Sequence, residues 1–126
     1  MSSSDVFLKH QYLNLETFRK SGEGVRTPVW FAQEGSMLYV WTERSSGKAK
    51  RVRRSGQVNV APCDQRGQLL GDFVSGQARL HEYGTPLYEQ GNRLITRKYG
   101  WMKKVFEWTN RLRGNQPIII QIQLSD

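Results

Sequence analysis

The residues best suited to binding a ligand stand together in the segment 41–54. Four of them carry hydroxyl or ammonium groups, and they are Thr42, Ser45, Ser46 and Lys48. Ser46 is a suitable N-cap for a short basic helix. The N–H groups at a helix start attract anions, and nearby hydroxyls and a lysine complete such a site. This pattern predicts a site for a phosphate group at the start of the helix.

Few other residues have catalytic potential. His10 and His81 are the only histidines, and Cys63 is the single cysteine. One cysteine excludes an intrachain disulfide and supplies too few thiols for a structural zinc site. We expect Cys63 to be a buried, unreactive thiol and His81 to be a half-buried or surface residue, with a haem or metal role for His81 left open. We predict no metal site, and the catalytic residues stay unknown.

Positive charge is concentrated in two segments. Residues 43–54 and residues 97–113 each contain six basic residues and one acidic residue, within a net charge of +8. Such charge indicates a polyanionic partner, such as nucleic acid, an anionic membrane surface or a phosphorylated small molecule. We interpret the first segment as the ligand site and the second as a solvent-exposed helix face. A nucleic-acid-binding module stays as an unfavoured alternative.

Length and composition predict one domain over residues 1–126, with the polar residues 1–5 unordered. The chain has 126 residues, and its hydrophobic fraction of 37% suffices for a core. No segment approaches the run of about 20 apolar residues that spans a bilayer. The polar start does not lead into the apolar segment of a signal peptide. We therefore expect a cytoplasmic protein with no membrane partner.

Alternation of apolar and polar residues predicts six strands. They lie at 12–20, 25–33, 37–42, 57–63, 69–82 and 117–124. Pro28 lacks a backbone donor, so we expect it at an edge or a bulge of the second strand. The fifth strand is expected to bend at Gly71 or Gly76.

Helical signals occur at 45–55, 86–99 and 101–113. Thr85 is the predicted N-cap of the second helix, with proline at its first position, and Gly100 separates the second helix from the third. Tight turns between strands indicate an antiparallel sheet that curls to hide its edges. The predicted fold class is therefore mainly β (α+β). It is a barrel of about six antiparallel strands, with a short helix after strand three and one or two helices in the C-terminal half.

Three segments resemble a known superfamily. TPVWF at 27–31, the segment 41–67 and RKYGW at 97–101 are similar to the split β-barrel flavin- and deazaflavin-binding oxidoreductases, which include the pyridoxamine 5′-phosphate oxidase-like proteins. The likeness covers about residues 12–113 and is closest to the branch that depends on coenzyme F420 (8-hydroxy-5-deazaflavin). It implies hydride transfer between reduced coenzyme F420 and a small organic substrate that the sequence does not identify. FMN is the alternative cofactor, and Gly47 replaces an arginine that oxidase relatives use as a phosphate ligand.

The resemblance also implies which residues contact the cofactor. A strand ending in an aromatic residue and a threonine precedes a Ser-x-Lys that holds the phosphate, and an arginine on the preceding hairpin joins it. The strand after the helix, residues 59–63, lies beside the ring system. The implied cofactor-binding set is Arg26, Thr27, Trp41, Thr42, Ser46, Lys48, Arg51, Pro62 and Cys63.

We also expect a homodimer. A small half-open barrel leaves sheet surface to cover, and the apolar residues at 118–120 with Trp101, Phe106 and Trp108 exceed what one small domain readily buries. In the resembling proteins the cofactor lies at the dimer interface. A non-catalytic cofactor carrier stays open as an alternative to an enzyme.

Overall fold

A computed structural model gives the fold. It describes residues 3–112, 114 and 116–125, and the side chains of all of these except 3, 4, 106 and 110–112. After a 3-10 helix at Ser3–Phe7, the elements in chain order are β1 (Tyr12–Phe18), β2 (Gly24–Glu34), β3 (Met37–Glu43), α1 (Gly47–Arg54), β4 (Gln57–Cys63), β5 (Val74–Glu82), α2 (Pro86–Tyr99), α3 (Trp101–Leu112) and β6 (Pro117–Leu124).

The six strands form a closed antiparallel barrel in the order β1-β2-β3-β6-β5-β4. The predicted fold class is confirmed, including the short helix after the third strand and two helices in the C-terminal half. Closing the sheet pairs the edges that an open sheet would expose. The last strand, β6, completes the barrel by lying between β3 and β5.

Alternating residues of each strand fill the barrel interior. In β1, Leu13, Leu15 and Thr17 share one face of the strand and are all buried. In β6, Ile118 and Ile120 face the same core, while Ile119 faces outward and packs under α2. All three isoleucines are fully buried within the chain. The expectation that they offer surface to a dimer partner is therefore wrong, because both sheet faces are covered at this point.

Although the barrel is closed, β2 and β3 pair along only part of their length and separate beyond it. The first part of β2 pairs only with β1, up to Tyr12↔Trp30. Pairing with β3 extends only from Phe31↔Val40 to Glu34↔Met37. Pro28 lies in the stretch without a partner on the β3 side, so its predicted edge position is confirmed, and its missing N–H removes no ladder bond there.

α2 covers the outside of the barrel, and α3 packs mainly against α2. Thr85 caps α2 by accepting a hydrogen bond from the Tyr88 N–H, and Gly100 separates α2 from α3 at a positive φ of 60°. Both features are as predicted, although position 113 at the end of the expected third helix lies outside the described residues. Among the described residues, no helix combines the length and apolar composition that crossing a bilayer requires.

The fifth strand is shorter than predicted. Leu69 forms only an isolated bridge to Cys63, and β5 begins at Val74. The chain bends at Gly71, where an added Cβ would lie 2.7 Å from Pro62 Cγ. A larger residue would clash with Pro62 here, which fits the predicted bend at a glycine.

The start of the chain also differs from the expectation. Residues 3–7 form a 3-10 helix whose Phe7 is fully buried and stacks edge-on against Phe31. Burying this ring orders a segment that we expected to be unordered through residue 5. Residues 1 and 2 lie outside the described residues.

Candidate functional site

A groove lies where β2 and β3 separate. Its volume is about 160 Å³, and its lining residues are Val29, Trp30, Trp41, Thr42 and Lys48. The four strand residues are the first positions beyond the last ladder pair, Phe31↔Val40. Past that pair β2 stays with β1 and β3 stays with β6, so the two strands separate. The structure therefore brings together three predicted site residues, Trp41, Thr42 and Lys48.

The start of α1 lies beside this groove. Ser46 is the N-cap, as predicted, and its Oγ accepts a hydrogen bond from the Ala49 N–H at 3.2 Å. The Thr42 hydroxyl donates to Ser46 Oγ at 3.5 Å. In an α-helix the N–H groups of the first two residues, here Gly47 and Lys48, have no intrahelical acceptor. Hydroxyls, backbone donors and the Lys48 ammonium therefore share one helix end, which is the arrangement that binds anions.

The Lys48 ammonium is partly removed from water. Burial lowers the pKa of Lys48, the Glu43 carboxylate raises it and the Arg51 guanidinium lowers it again. A cation that is already partly desolvated interacts with an anion more strongly than a fully hydrated one. Lys48 is thus placed to contribute to binding and not only to surface charge.

The Arg51 side chain extends to the same end of α1. Its Nε donates to Thr17 Oγ1 at 2.6 Å, and Thr17 is buried in the barrel wall. A Cβ added at Gly47 would lie 2.9 Å from Arg51 Nη1. The guanidinium therefore lies beside Gly47. Burial lowers the pKa of Arg51, with the nearby Arg19 charge acting in the same direction.

Arg26 is held elsewhere. Its Nε lies 3.1 Å from Glu16 Oε2, and its guanidinium lies over the Phe73 ring. Glu16 also accepts a hydrogen bond from Asn59 Nδ2 at 2.9 Å. Strand alternation puts Arg26 on the opposite face of β2 from Thr27 and Val29. The groove takes Val29 from one face of β2 and Trp30 from the other, and neither Thr27 nor Arg26 is among its lining residues. Arg26 belongs to a cross-strand network that the sequence reasoning missed.

Pro62 and Cys63 lie on β4, with β1 between them and β2. Tyr12 of β1 pairs with Cys63 of β4 on one side and with Trp30 of β2 on the other. Two ordinary strand spacings, about 10 Å, therefore separate the backbones of Cys63 and Trp30. Cys63 is only 2% exposed, as predicted, and burial raises its pKa to about 11, with Asp64 adding to the rise. Within one chain neither residue reaches the groove, and their contact with a cofactor stays a prediction.

The groove aromatics are supported from the helix side. Trp30 stacks on Tyr99 with ring centroids 4.5 Å apart and planes 8° apart. Trp41 Nε1 donates to the Tyr88 hydroxyl at 3.4 Å, and Lys103 Nζ lies 4.7 Å from the centroid of the Trp41 ring. Sequence reasoning did not single out these supports, because only the fold brings α2 and α3 to the outer face of β2 and β3.

The second basic segment is not uniformly solvent-exposed. Lys103 is fully buried, so the interpretation of residues 97–113 as a solvated face is wrong for this residue. Lys98 Nζ donates to the carbonyl oxygens of His10 and Phe31. In the first segment Arg44 and Arg53 pair with Glu82. These basic side chains bond to other elements of the same chain. This use of positive charge weakens the hypothesis of a nucleic-acid-binding module.

His81 lies away from the groove. It is half-buried, and its Nε2 forms a 2.8 Å hydrogen bond with Gln121 Oε1 across the β5–β6 ladder. In the described part of the chain, no group of three or more His, Cys, Asp or Glu side chains is placed to hold a metal ion.

Comparison with known proteins supports the fold. No protein-family model matches the chain, and no curated protein matches it by sequence. Solved structures do match. A candidate pyridoxamine 5′-phosphate oxidase from Listeria innocua is 18% identical with a TM-score of 0.68, over 97% of this chain and 90% of that one.

Two further structures extend the comparison. An F420 reductase is 14% identical with a TM-score of 0.62, over 100% of this chain and 96% of that one. HutZ, the heme storage protein from Vibrio cholerae, is 12% identical with a TM-score of 0.74, over 97% and 87%. At these identities the likeness establishes the fold, a split β-barrel of the pyridoxamine 5′-phosphate oxidase-like type. The matching structures include an F420 reductase, a heme storage protein and a heme-binding protein from Mycobacterium smegmatis.

Proposed function

We propose that the chain is an oxidoreductase that binds coenzyme F420 at the groove between β2 and β3 and transfers a hydride between this cofactor and a small organic substrate. One observation carries the proposal. Anion-binding groups at the start of α1 lie directly beside a groove lined by Trp30 and Trp41. A phosphorylated ring cofactor needs both features, cationic and hydroxyl donors at one end and flat apolar surface at the other.

The residues at the start of α1 fit the phosphate end of such a cofactor. Ser46 and Thr42 supply hydroxyls, Lys48 supplies an ammonium and Arg51 supplies a guanidinium beside Gly47. Charge-assisted hydrogen bonds of this kind are about twice as strong as neutral ones. These residues would hold the phosphate of the cofactor, and the N–H groups at the start of α1 would add to the site.

The protein's part in the reaction is to bind and orient. When bound, the cofactor supplies the hydride chemistry, and the fold positions it and excludes water. Trp30 and Trp41 would face the ring end, held by Tyr99 and Tyr88. Such a site needs no protein acid or base in principle, and we assign none.

FMN binding is the second candidate. It is favoured by the likeness to the Listeria innocua protein, whereas the likeness to the F420 reductase favours the deazaflavin. The glycine at position 47 removes one cation that oxidase relatives use, and Arg51 takes part of its space. We therefore place coenzyme F420 first.

The proposal includes a homodimer. The groove of one chain, about 160 Å³, is smaller than the ~300–1,000 Å³ of usual ligand pockets, so a second wall is needed. The outward face of α3 exposes Trp101, Val105 and Trp108, an apolar stripe at helical spacing. Light scattering at micromolar concentration should give the dimer mass, and Trp101→Asp with Trp108→Asp should give the monomer. A monomer mass for the unchanged chain would remove this part of the proposal.

Equilibrium titration of the purified protein with coenzyme F420 and with FMN tests the cofactor assignment. We expect the absorbance and fluorescence of coenzyme F420 to change on binding at low micromolar concentration, with weaker binding of FMN. A yellow protein that copurifies with FMN would favour the second candidate. No binding of either cofactor at tens of micromolar would rule out both.

A further inference from the structure

α3 buries one lysine, Lys103, and exposes several apolar residues. Lys103 is 0% exposed, whereas Trp101 and Trp108 are 73% and 64% exposed. Burying an ammonium is unfavourable unless it is paired and hydrogen-bonded. An apolar side chain at position 103 would bury without this penalty, so packing alone does not explain a lysine here.

The Lys103 ammonium is fully engaged. Its Nζ lies 2.5 Å from Asn92 Oδ1 on α2 and 2.6 Å from Glu107 Oε1 one turn along α3. Burial lowers the pKa of Lys103, and the hydrogen bond and charge of Glu107 raise it. The short contact to a carboxylate is the geometry of an ion pair, so Lys103 acts as a fixed cation.

The third neighbour of this cation is the Trp41 ring, whose centroid lies 4.7 Å from Nζ. A cation within about 6 Å of an indole face is attracted to it, and more strongly when water is excluded. The Trp41 N–H is bonded to Tyr88, and Trp41 also lines the groove. The indole is therefore held at its N–H edge by α2 and at its ring by α3.

We propose that Lys103 is a positioning residue, which fixes the Trp41 indole at the groove and thereby sets the affinity for the ring end of the bound cofactor. The part of this inference that concerns cofactor affinity rests on the proposed function. The orientation of Trp41 by Lys103 is independent of any ligand and can be measured without one. Lys103 itself does not line the groove and is not a catalytic residue.

The first experiment needs no cofactor. Near-ultraviolet circular dichroism of the unchanged chain minus that of Trp41→Phe isolates the Trp41 signal. Lys103→Met should remove most of that signal, and Lys103→Arg, which keeps a cation within reach, should retain it. Glu107→Gln is the matched control, since it removes the counter-charge but keeps a side-chain oxygen that can accept from Lys103 Nζ. It should lower the melting temperature and leave the Trp41 signal in place.

The second experiment is a double-mutant cycle on the dissociation constant of coenzyme F420. Lys103→Met should weaken binding roughly threefold to thirtyfold, the range of a desolvated cation–π contact. In a Trp41→Leu background the same substitution should have less than a twofold effect, because the group through which it acts is gone.

The outcomes separate the two proposals. An unchanged Trp41 signal in a folded Lys103→Met protein overturns the inference, and so does an equal loss of affinity in both backgrounds. If Lys103→Met does not fold, a Lys103→Arg protein in which the Trp41 signal and affinity are both kept, or both lost, supports the inference, and one that loses either without the other overturns it. Failure of the unchanged chain to bind coenzyme F420 or FMN overturns the proposed function, while the circular dichroism result still decides the role of Lys103.

Discussion

The guanidinium of Arg51 occupies the space that a side chain at Gly47 would need. A Cβ at position 47 would lie 2.9 Å from Arg51 Nη1 and 3.4 Å from Nη2. Arg51 is held there by its hydrogen bond to Thr17. The absence of a side chain at the first position of α1 is therefore what lets a residue four positions later supply a cation to the helix start.

Gly47→Ala tests this relationship. The added methyl group should displace the Arg51 guanidinium and weaken coenzyme F420 binding about as much as Arg51→Ala does. Alanine favours helix over glycine by up to about 1 kcal/mol, so stability should not fall. Titration of both single variants and the double variant checks this, and we expect little further loss when Gly47→Ala is added to Arg51→Ala. Additive losses would mean that the two residues act separately.

Lys48→Ala should weaken cofactor binding by about tenfold to a hundredfold. Loss of a charge-assisted contact costs roughly 1.5–3 kcal/mol, and the Lys48 ammonium lines the groove. Arg53→Ala is the control, because Arg53 is on the same helix but bonds to Arg44 and Glu82. Binding should change by less than twofold in this control. Equal small losses in the two variants would contradict the placement of the site.

Tyr99→Phe should lower the free energy of unfolding by about 1–3 kcal/mol, the cost of leaving buried polar groups without a partner. The Tyr99 hydroxyl accepts from the Phe31 N–H at 3.0 Å and lies 2.5 Å from the carbonyl oxygen of Gln11. These contacts hold β2 at the point where it leaves β3. Urea unfolding measures the effect, with the exposed Tyr83→Phe as the control. A loss no larger than that of the control would show that the hydroxyl is not needed there.

The Cys63 thiol should resist modification in the native protein at pH 8. It is buried, and burial raises its pKa to about 11 from an ordinary value of 9.0, so little thiolate forms. Reaction with a disulfide reagent should be slow in buffer and rapid in denaturant. Stoichiometric reaction within seconds in buffer would contradict the buried placement.

The raised pKa of the Cys63 thiol also predicts that the stability of the protein depends on pH. The unfolded chain releases the thiol proton at lower pH than the folded chain does, so the unfolded state binds fewer protons between about pH 9 and pH 11. The Cys63 contribution to the free energy of unfolding therefore falls as the pH rises through this window. Cys63→Ala should reduce that slope in a urea unfolding series. An unchanged slope would assign the pH effect to other groups, such as Tyr88, whose pKa burial raises to about 12.

Local patterns predicted most of the elements correctly. Alternation of apolar and polar residues identified β1, and Ser46 and Thr85 marked the starts of α1 and α2. These signals are short-range, since they depend on side-chain periodicity and on hydrogen bonds within one turn. The fifth strand was predicted too long, since the chain bends at Gly71 and the ladder with β4 begins only at Val74, which periodicity alone does not show.

The sequence by itself determined the barrel, the capped start of α1 and the hydroxyl and ammonium groups near it. Only the tertiary structure decided that Trp30, Trp41 and Lys48 meet, because the β2–β3 ladder ends at Phe31↔Val40 and opens a groove. It also decided which face of α3 is buried. Periodicity shows that Trp101, Val105 and Trp108 share one face of α3, but not whether that face turns inward. The fold turned Lys103 inward instead, because Asn92, Glu107 and the Trp41 ring together satisfy a buried cation.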